Sequence, residues 1–122
     1  MPSFELTFEE RPGYLYARVV ADAIDRQAAA EYLLDVAAKC EELSCSRLVL
    51  DRDIPTILNA SDLFFTTKEF LPMMVGISVA FLNRHETIEN EMEFAVMVAR
   101  NRGADFKVVR DLAAAEEWLL GN

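Results

Sequence analysis

Cysteine, histidine and positive charge are all scarce in this chain, and each shortage closes off a class of function. The only cysteines among the 122 residues are Cys40 and Cys45, with four residues between them. That spacing does not match a zinc-binding pair and no second pair exists, so neither a zinc site nor a disulfide framework is expected. A buried thiol at a helix end (Cys40) and a loop thiol (Cys45) fit a reducing cytoplasm. The single histidine, His85, cannot build a metal cluster alone. Lysine and arginine number 12 against 21 acidic residues, a net charge of -9. Such a field repels phosphate backbones and anionic headgroups, and no cationic run offsets it; the nearest approach is Arg100 and Arg102. Nucleic acid is therefore not an expected partner.

Long apolar runs are missing too. The best candidate, "FLPMMVGISVAFL", is broken by Pro72 and Gly76 and falls well short of the roughly 20 residues that span a bilayer. The opening "MPSFELTFEERPG" has no basic segment followed by an apolar one, so no signal peptide is expected. No glycine-rich phosphate loop and no nucleophile elbow appears. The carboxylates Glu89, Glu91, Glu93, Glu116 and Glu117 follow the spacing of solvated helix faces and mark no catalytic pair. No cofactor, metal or enzymatic activity is read from these residues.

What remains is the composition of a single globular domain spanning 1–122: 52% hydrophobic, with only 4 Gly and 4 Pro. Phe4, Leu6 and Phe8 alternate with polar residues, the period of a half-buried strand. Pro12-Gly13 signals a turn into a second strand, "YLYARVVA" (14–21), and predicts a hairpin. Asp25 is a candidate N-cap for a helix to about Leu43, whose inner face carries Ala29, Leu33, Val36, Ala37 and Cys40. The apolar "RLVLD" (47–51) predicts a strand buried on both faces. A helix from Leu63 should stop before Pro72. "GISVAFL" (76–82) predicts a central strand. A helix over Thr87–Arg102 should stop at Gly103. "FKVVR" (106–110) reads as a strand, and Asp111 as the cap of a last helix. The order β-β-α-β-α-β-α-β-α implies an α/β fold: a mixed, mostly parallel five-stranded sheet packed with helices.

That order, with "ADAIDRQAAAEYL" (21–33), "LVLDRDIPTILNASDLF" (48–64) and "FKVVRDLAAAEEWL" (106–119), resembles the STAS superfamily of anti-sigma-factor antagonists and sulfate-transporter tails, and within it the small stand-alone SpoIIAA-like proteins. The resemblance implies a STAS-like fold and a bacterial regulatory protein without enzymatic activity, working through a protein partner or as a homodimer. The family's middle motif ends in Asp-Ser-Ser-Gly-Leu. Its positions fall on Asn59, Ala60, Ser61, Asp62 and Leu63, of which Ser61 and Leu63 match. The resemblance thus implies a degenerate phosphoacceptor motif with Ser61 as the phosphoacceptor. Some SpoIIAA-like relatives lack the motif and are likened to Sec14-type lipid-binding domains, which implies the alternative: a binder of a small apolar or lipid-like ligand. An uncharacterised enzyme is the third reading.

The residues leave the role of Ser61 open. A serine or asparagine before an apolar helical pattern is a natural cap, and both Asn59 and Ser61 can serve. A phosphate at that point would meet free N–H groups and a positive dipole end, but also Asp51, Asp53 and Asp62, with Arg52 as the nearest cation in sequence. The 52–62 connection, with Arg52, Asp53, Asn59 and Asp62, is expected to project as a recognition loop beyond the carboxyl ends of the strands. At about 100° per residue, Phe65, Phe94 and Met97 fall outside the inner faces of their helices. They are expected to form an interaction patch for a partner, a second copy or an apolar ligand.

Overall fold

Alternating apolar and polar residues do build the opening hairpin. In the computed structural model, which describes residues 4–121, β1 (Glu5–Arg11) pairs antiparallel with β2 (Tyr14–Val20). Residues 1–3 and 122 of the expected domain lie outside the described residues. Pro12 restrains the first turn position, and Gly13 supplies a positive φ of 88° at the second. A side chain on Gly13 would also meet Leu120 Cδ2 at 2.9 Å, so the turn needs glycine for space as well as for conformation.

Helix α1 (Arg26–Glu42) starts where expected, with the Asp25 carboxylate accepting from Ala28 N–H at 2.8 Å. It ends in a Schellman turn: Ser44 N–H reaches Glu41 O, Cys45 N–H reaches Cys40 O at 3.0 Å, and Ser44 takes φ 51°. Strand β3 (Arg47–Asp53), helix α2 (Ala60–Phe70), a 3-10 turn (Leu71–Met74) and strand β4 (Ser78–Asn83) follow. After a second 3-10 turn (Glu86–Ile88) come α3 (Glu89–Asn101), β5 (Asp105–Val109) and α4 (Leu112–Leu119). Helix α3 closes on Gly103 at φ 93° in another Schellman turn, and Asp111 caps α4 through Ala114 N–H.

The five strands lie in sequence order, β1-β2-β3-β4-β5, and every pair after the hairpin is parallel. Right-handed crossovers that always step in the same direction put their helices on one face. Accordingly α1, α2 and α3 cover one side, where Val36, Cys40, Phe70 and Val96 pack on Leu15, Val19, Leu48, Leu50 and Val79. Helix α4 is not a crossover. It folds back onto the opposite side, where Ala115 and Leu119 pack with Val49, Ala80, Leu82 and Val109. The result is a single α/β domain with three helices on one face of a mixed sheet and one on the other.

Three boundaries differ from expectation. Strand β3 runs on to Asp53, because the parallel neighbours continue to pair with it, Arg52 opposite Asn83 and Asp53 opposite Val20. It is also the middle strand, and β4, expected to be central, lies next to it and is paired on both edges. Helix α2 starts at Ala60, so the connection shrinks to residues 54–59. Pro72 ends α-helical bonding, yet Leu71 before it stays helical because the proline enters a fresh 3-10 turn at a position that needs no donor.

Candidate functional site

Strand alternation splits the expected recognition loop between the two faces of the sheet. Arg52 faces the three-helix side and is only 4% exposed. Its Nη1 donates to Ile54 O at 3.0 Å and its Nη2 to Thr56 O at 2.7 Å. Thr56 Oγ1 in turn accepts from Ile24 N–H at 3.0 Å. Arg52 is therefore an internal staple of the 54–56 turn and not a surface contact, because β3 extends past it. Asp53 faces the other side, half-buried, within 2.8 Å of both Arg18 Nη2 and His85 Nε2.

Asn59 and Asp62 define the start of α2. The Asn59 side chain accepts from Asp62 N–H at 2.9 Å, and its extended backbone (φ -62°, ψ 165°) is that of an N-cap. Ser61 is the second helical residue, exposed, and its hydroxyl makes no hydrogen bond among the described residues. The cap is Asn59 and not Ser61, because the helix begins one turn earlier than its apolar pattern.

Phe65 lies one turn beyond Ser61 and is 46% exposed. The guanidinium of Arg26, on α1, sits 5.7 Å from its ring centroid. Arg26 also reaches Glu69 at 3.3 Å and Asp62 at 3.9 Å. Ser61, Asp62 and Phe65 thus share a surface with a cation from a different helix. Phe94 and Met97 are exposed on α3, where they line a shallow hollow with Asn90 and Arg100; Phe65 is not among its lining residues.

The opposite face carries a cluster that sequence reasoning missed. Asp51 is 0% exposed. Arg84 approaches it with two donors, Nε to Oδ1 at 2.8 Å and Nη2 to Oδ2 at 2.7 Å. Arg18 Nη1 reaches Oδ2 at 3.0 Å, and the Tyr16 hydroxyl donates to the same oxygen. Burial by itself would raise the Asp51 pKa, but the hydrogen bonds from Arg84 and Tyr16 and the Arg84 charge outweigh it and hold the carboxyl below its ordinary range. Contact with His85 and the charge of Arg18 lower Asp53 as well. Burial and the bond to Asp51 push the Tyr16 phenol up. A carboxylate this engaged and this acidic is a poor proton shuttle at neutral pH; the geometry is that of a lock across β2, β3 and the end of β4. The available signal was the presence of Arg18 and Asp51 inside otherwise apolar strands. Only the register, which sets them side by side, turns that into a pair.

Between the sheet and α1–α3 lies a cavity of about 70 Å³. Its walls are mostly apolar, including Leu33, Phe70, Phe81 and Phe106, but they include the Arg52 and Thr66 side chains. Thr66 is 6% exposed, and its Oγ1 has no hydrogen-bond partner among the described residues. No group of three or more His, Cys, Asp or Glu side chains there is arranged to hold a metal ion, and no helix is long and apolar enough to cross a membrane, both among the described residues. No protein-family model matches the chain, and no curated protein matches it.

Proposed function

We propose that the chain is a non-enzymatic regulatory domain of STAS type, acting by contact with a protein partner or a second copy of itself. The outer surface of α1 and α2 is the contact, and Ser61 is its modifiable position. One observation carries this reading: Asn59 does the capping, which leaves Ser61 exposed in the first helical turn with no structural task. A phosphate there would gain the helix dipole and bring roughly -1.5 to -2 charges beside Phe65. Asp62 opposes it, but Asp51 and Asp53 do not face it, since their contacts lie on the far side of the sheet. Arg26, not Arg52, is the cation at this surface. A cytoplasmic location goes with this reading, as both cysteines are free thiols.

The test is size-exclusion chromatography with light scattering on protein purified from its native source, for wild type, Phe65→Asp and Ser61→Glu. The expected result is a dimer or a stoichiometric complex for wild type, and a monomer for both variants at unchanged melting temperature. A wild-type chain that is monomeric and unaccompanied at every concentration overturns it.

The cavity beneath α1–α3 favours a second reading, the binding of a small, largely apolar ligand. Its volume suits a small group rather than a long acyl chain.

A further inference from the structure

The helix-side cavity joins three properties that ordinary packing does not require together. Its walls are apolar. It contains a guanidinium with no carboxylate within ion-pair distance among the described residues. Thr66 lines it as well; this residue is more than nine-tenths buried, and its Oγ1 has no hydrogen-bond partner among the described residues. Arg52 spends two N–H donors on Ile54 O and Thr56 O. A guanidinium has five, so three remain. A buried charge with no counterion is costly, and a buried hydroxyl without a partner adds to the cost. No described residue of this chain supplies an anion to Arg52 or a partner to the Thr66 hydroxyl.

We infer that the cavity is a binding site for a short aliphatic monocarboxylate. Its carboxylate accepts from Arg52 and from the Thr66 hydroxyl, and its hydrocarbon part lies among Leu33, Phe70 and Phe106. This rests on the ligand-binding reading above and narrows it. A carboxylate matches the planar donors of arginine, and charge-assisted bonds in an apolar setting are the strong ones. Size sets the rest: a cavity of about 150 Å³ holds benzene, and this one is about 70 Å³. On that scale about four heavy atoms fill the space, which is a two-carbon acid. A lipid tail does not fit.

The site also has a mechanical link to the surface. Arg52 holds the 54–56 turn, and that turn leads through Leu58 into the Asn59 cap of α2. A carboxylate that draws on Arg52 therefore acts at the root of the helix that carries Ser61 and Phe65.

The test is a titration of the isotope-labelled full chain at neutral pH, read by methyl and backbone NMR. Acetate is compared with ethanol, which has the same carbon skeleton and no charge. The variants are Thr66→Val, which is nearly isosteric, and Arg52→Met. Acetate should shift the Leu33 and Leu58 methyls and bind about tenfold or more tightly than ethanol, the factor expected for hydrogen bonds to a charged group. Thr66→Val should weaken acetate several-fold and leave ethanol unchanged, and Arg52→Met should remove the preference. Should Arg52→Met fail to fold, Thr66→Val with the acid-to-alcohol ratio decides. Equal binding of acid and alcohol, untouched by Thr66→Val, overturns the carboxylate inference and leaves an apolar site standing. Cavity methyls that respond to neither compound at tens of millimolar overturn both.

Discussion

Arg84 grips Asp51 with two parallel hydrogen bonds, Nε to Oδ1 and Nη2 to Oδ2, and so ties the segment leaving β4 to the middle strand of the sheet. The carboxylate is wholly buried while the guanidinium is partly exposed. That asymmetry makes Asp51 the vulnerable member. Removing it leaves Arg18, Arg84 and the Tyr16 hydroxyl without their common acceptor.

Asp51→Ala should cost about 1–3 kcal/mol, the scale for losing hydrogen bonds to a charged acceptor, because the part-exposed guanidiniums left behind can turn to water. Arg84→Lys keeps the charge but loses the paired geometry, and should cost only about 1 kcal/mol. Urea denaturation of the two variants checks the order. Equal, small losses would mean that the cluster is solvated and not a lock.

The same cluster sets the acid limit of stability. The folded-state pKa values of Asp51 and Asp53 lie below their unfolded values of about 3.9. As pH falls, the unfolded chain takes up protons first. The stabilisation is complete above about pH 5 and is lost as pH drops through the folded pKa values. On the alkaline side, burial and contact with Cys45 push the Cys40 thiol up, so the unfolded thiol ionises first. Its contribution is complete below about pH 8 and is lost above that. Melting temperature against pH should show both flanks. Cys40→Ala should flatten the alkaline flank relative to wild type, although it lowers the plateau by opening space in the core.

The α2 cap separates two neighbouring residues by role. Asn59→Ala should cost about 1 kcal/mol, because it leaves Asp62 N–H without its acceptor. Ser61→Ala should change stability by less than about half of that, since it removes no hydrogen bond within the described chain. Chemical denaturation of the two variants measures the difference, and the reverse ranking would return the capping role to Ser61.

The two cysteines should differ sharply towards iodoacetamide. Cys40 is buried with a raised pKa, whereas Cys45 is partly exposed. Thiolate, not thiol, is the nucleophile. Mass spectrometry of the native protein should find Cys45 alkylated first and Cys40 labelled only as the chain unfolds. Simultaneous labelling would show that the end of α1 opens readily.

Local chemistry carried much of the fold. Asp25, Asp111, Gly103 and the Pro12-Gly13 turn act where their side chains and allowed φ values demand, because each solves a problem within a few residues of itself. The periodicity of the third helix likewise announced an inner stripe of Ile88, Met92, Ala95, Val96 and Ala99, all buried but the half-buried Ala95, and the outward side of Phe94 and Met97. Boundaries slipped where the deciding partner was remote. Strand β3 reached Asp53 because two neighbouring strands paired with it, and no local residue signals that.

The candidate sites were legible only as residue types. Sequence alone determined that Asn59 or Ser61 stood at a helix start; it set Arg52 in the connection after a strand ending at Asp51, and it carried the charges of Arg18 and Asp51 with no sign that they pair. Tertiary structure alone decided that Arg52 and Thr66 line one cavity, that Asp51 is gripped by Arg84, and that Arg26 lies over Phe65. The physical reason is reach: capping and periodicity act over about one helical turn, whereas burial and charge pairing depend on which strands lie side by side. One residue of shift in the β3 register would have reversed every one of its side chains.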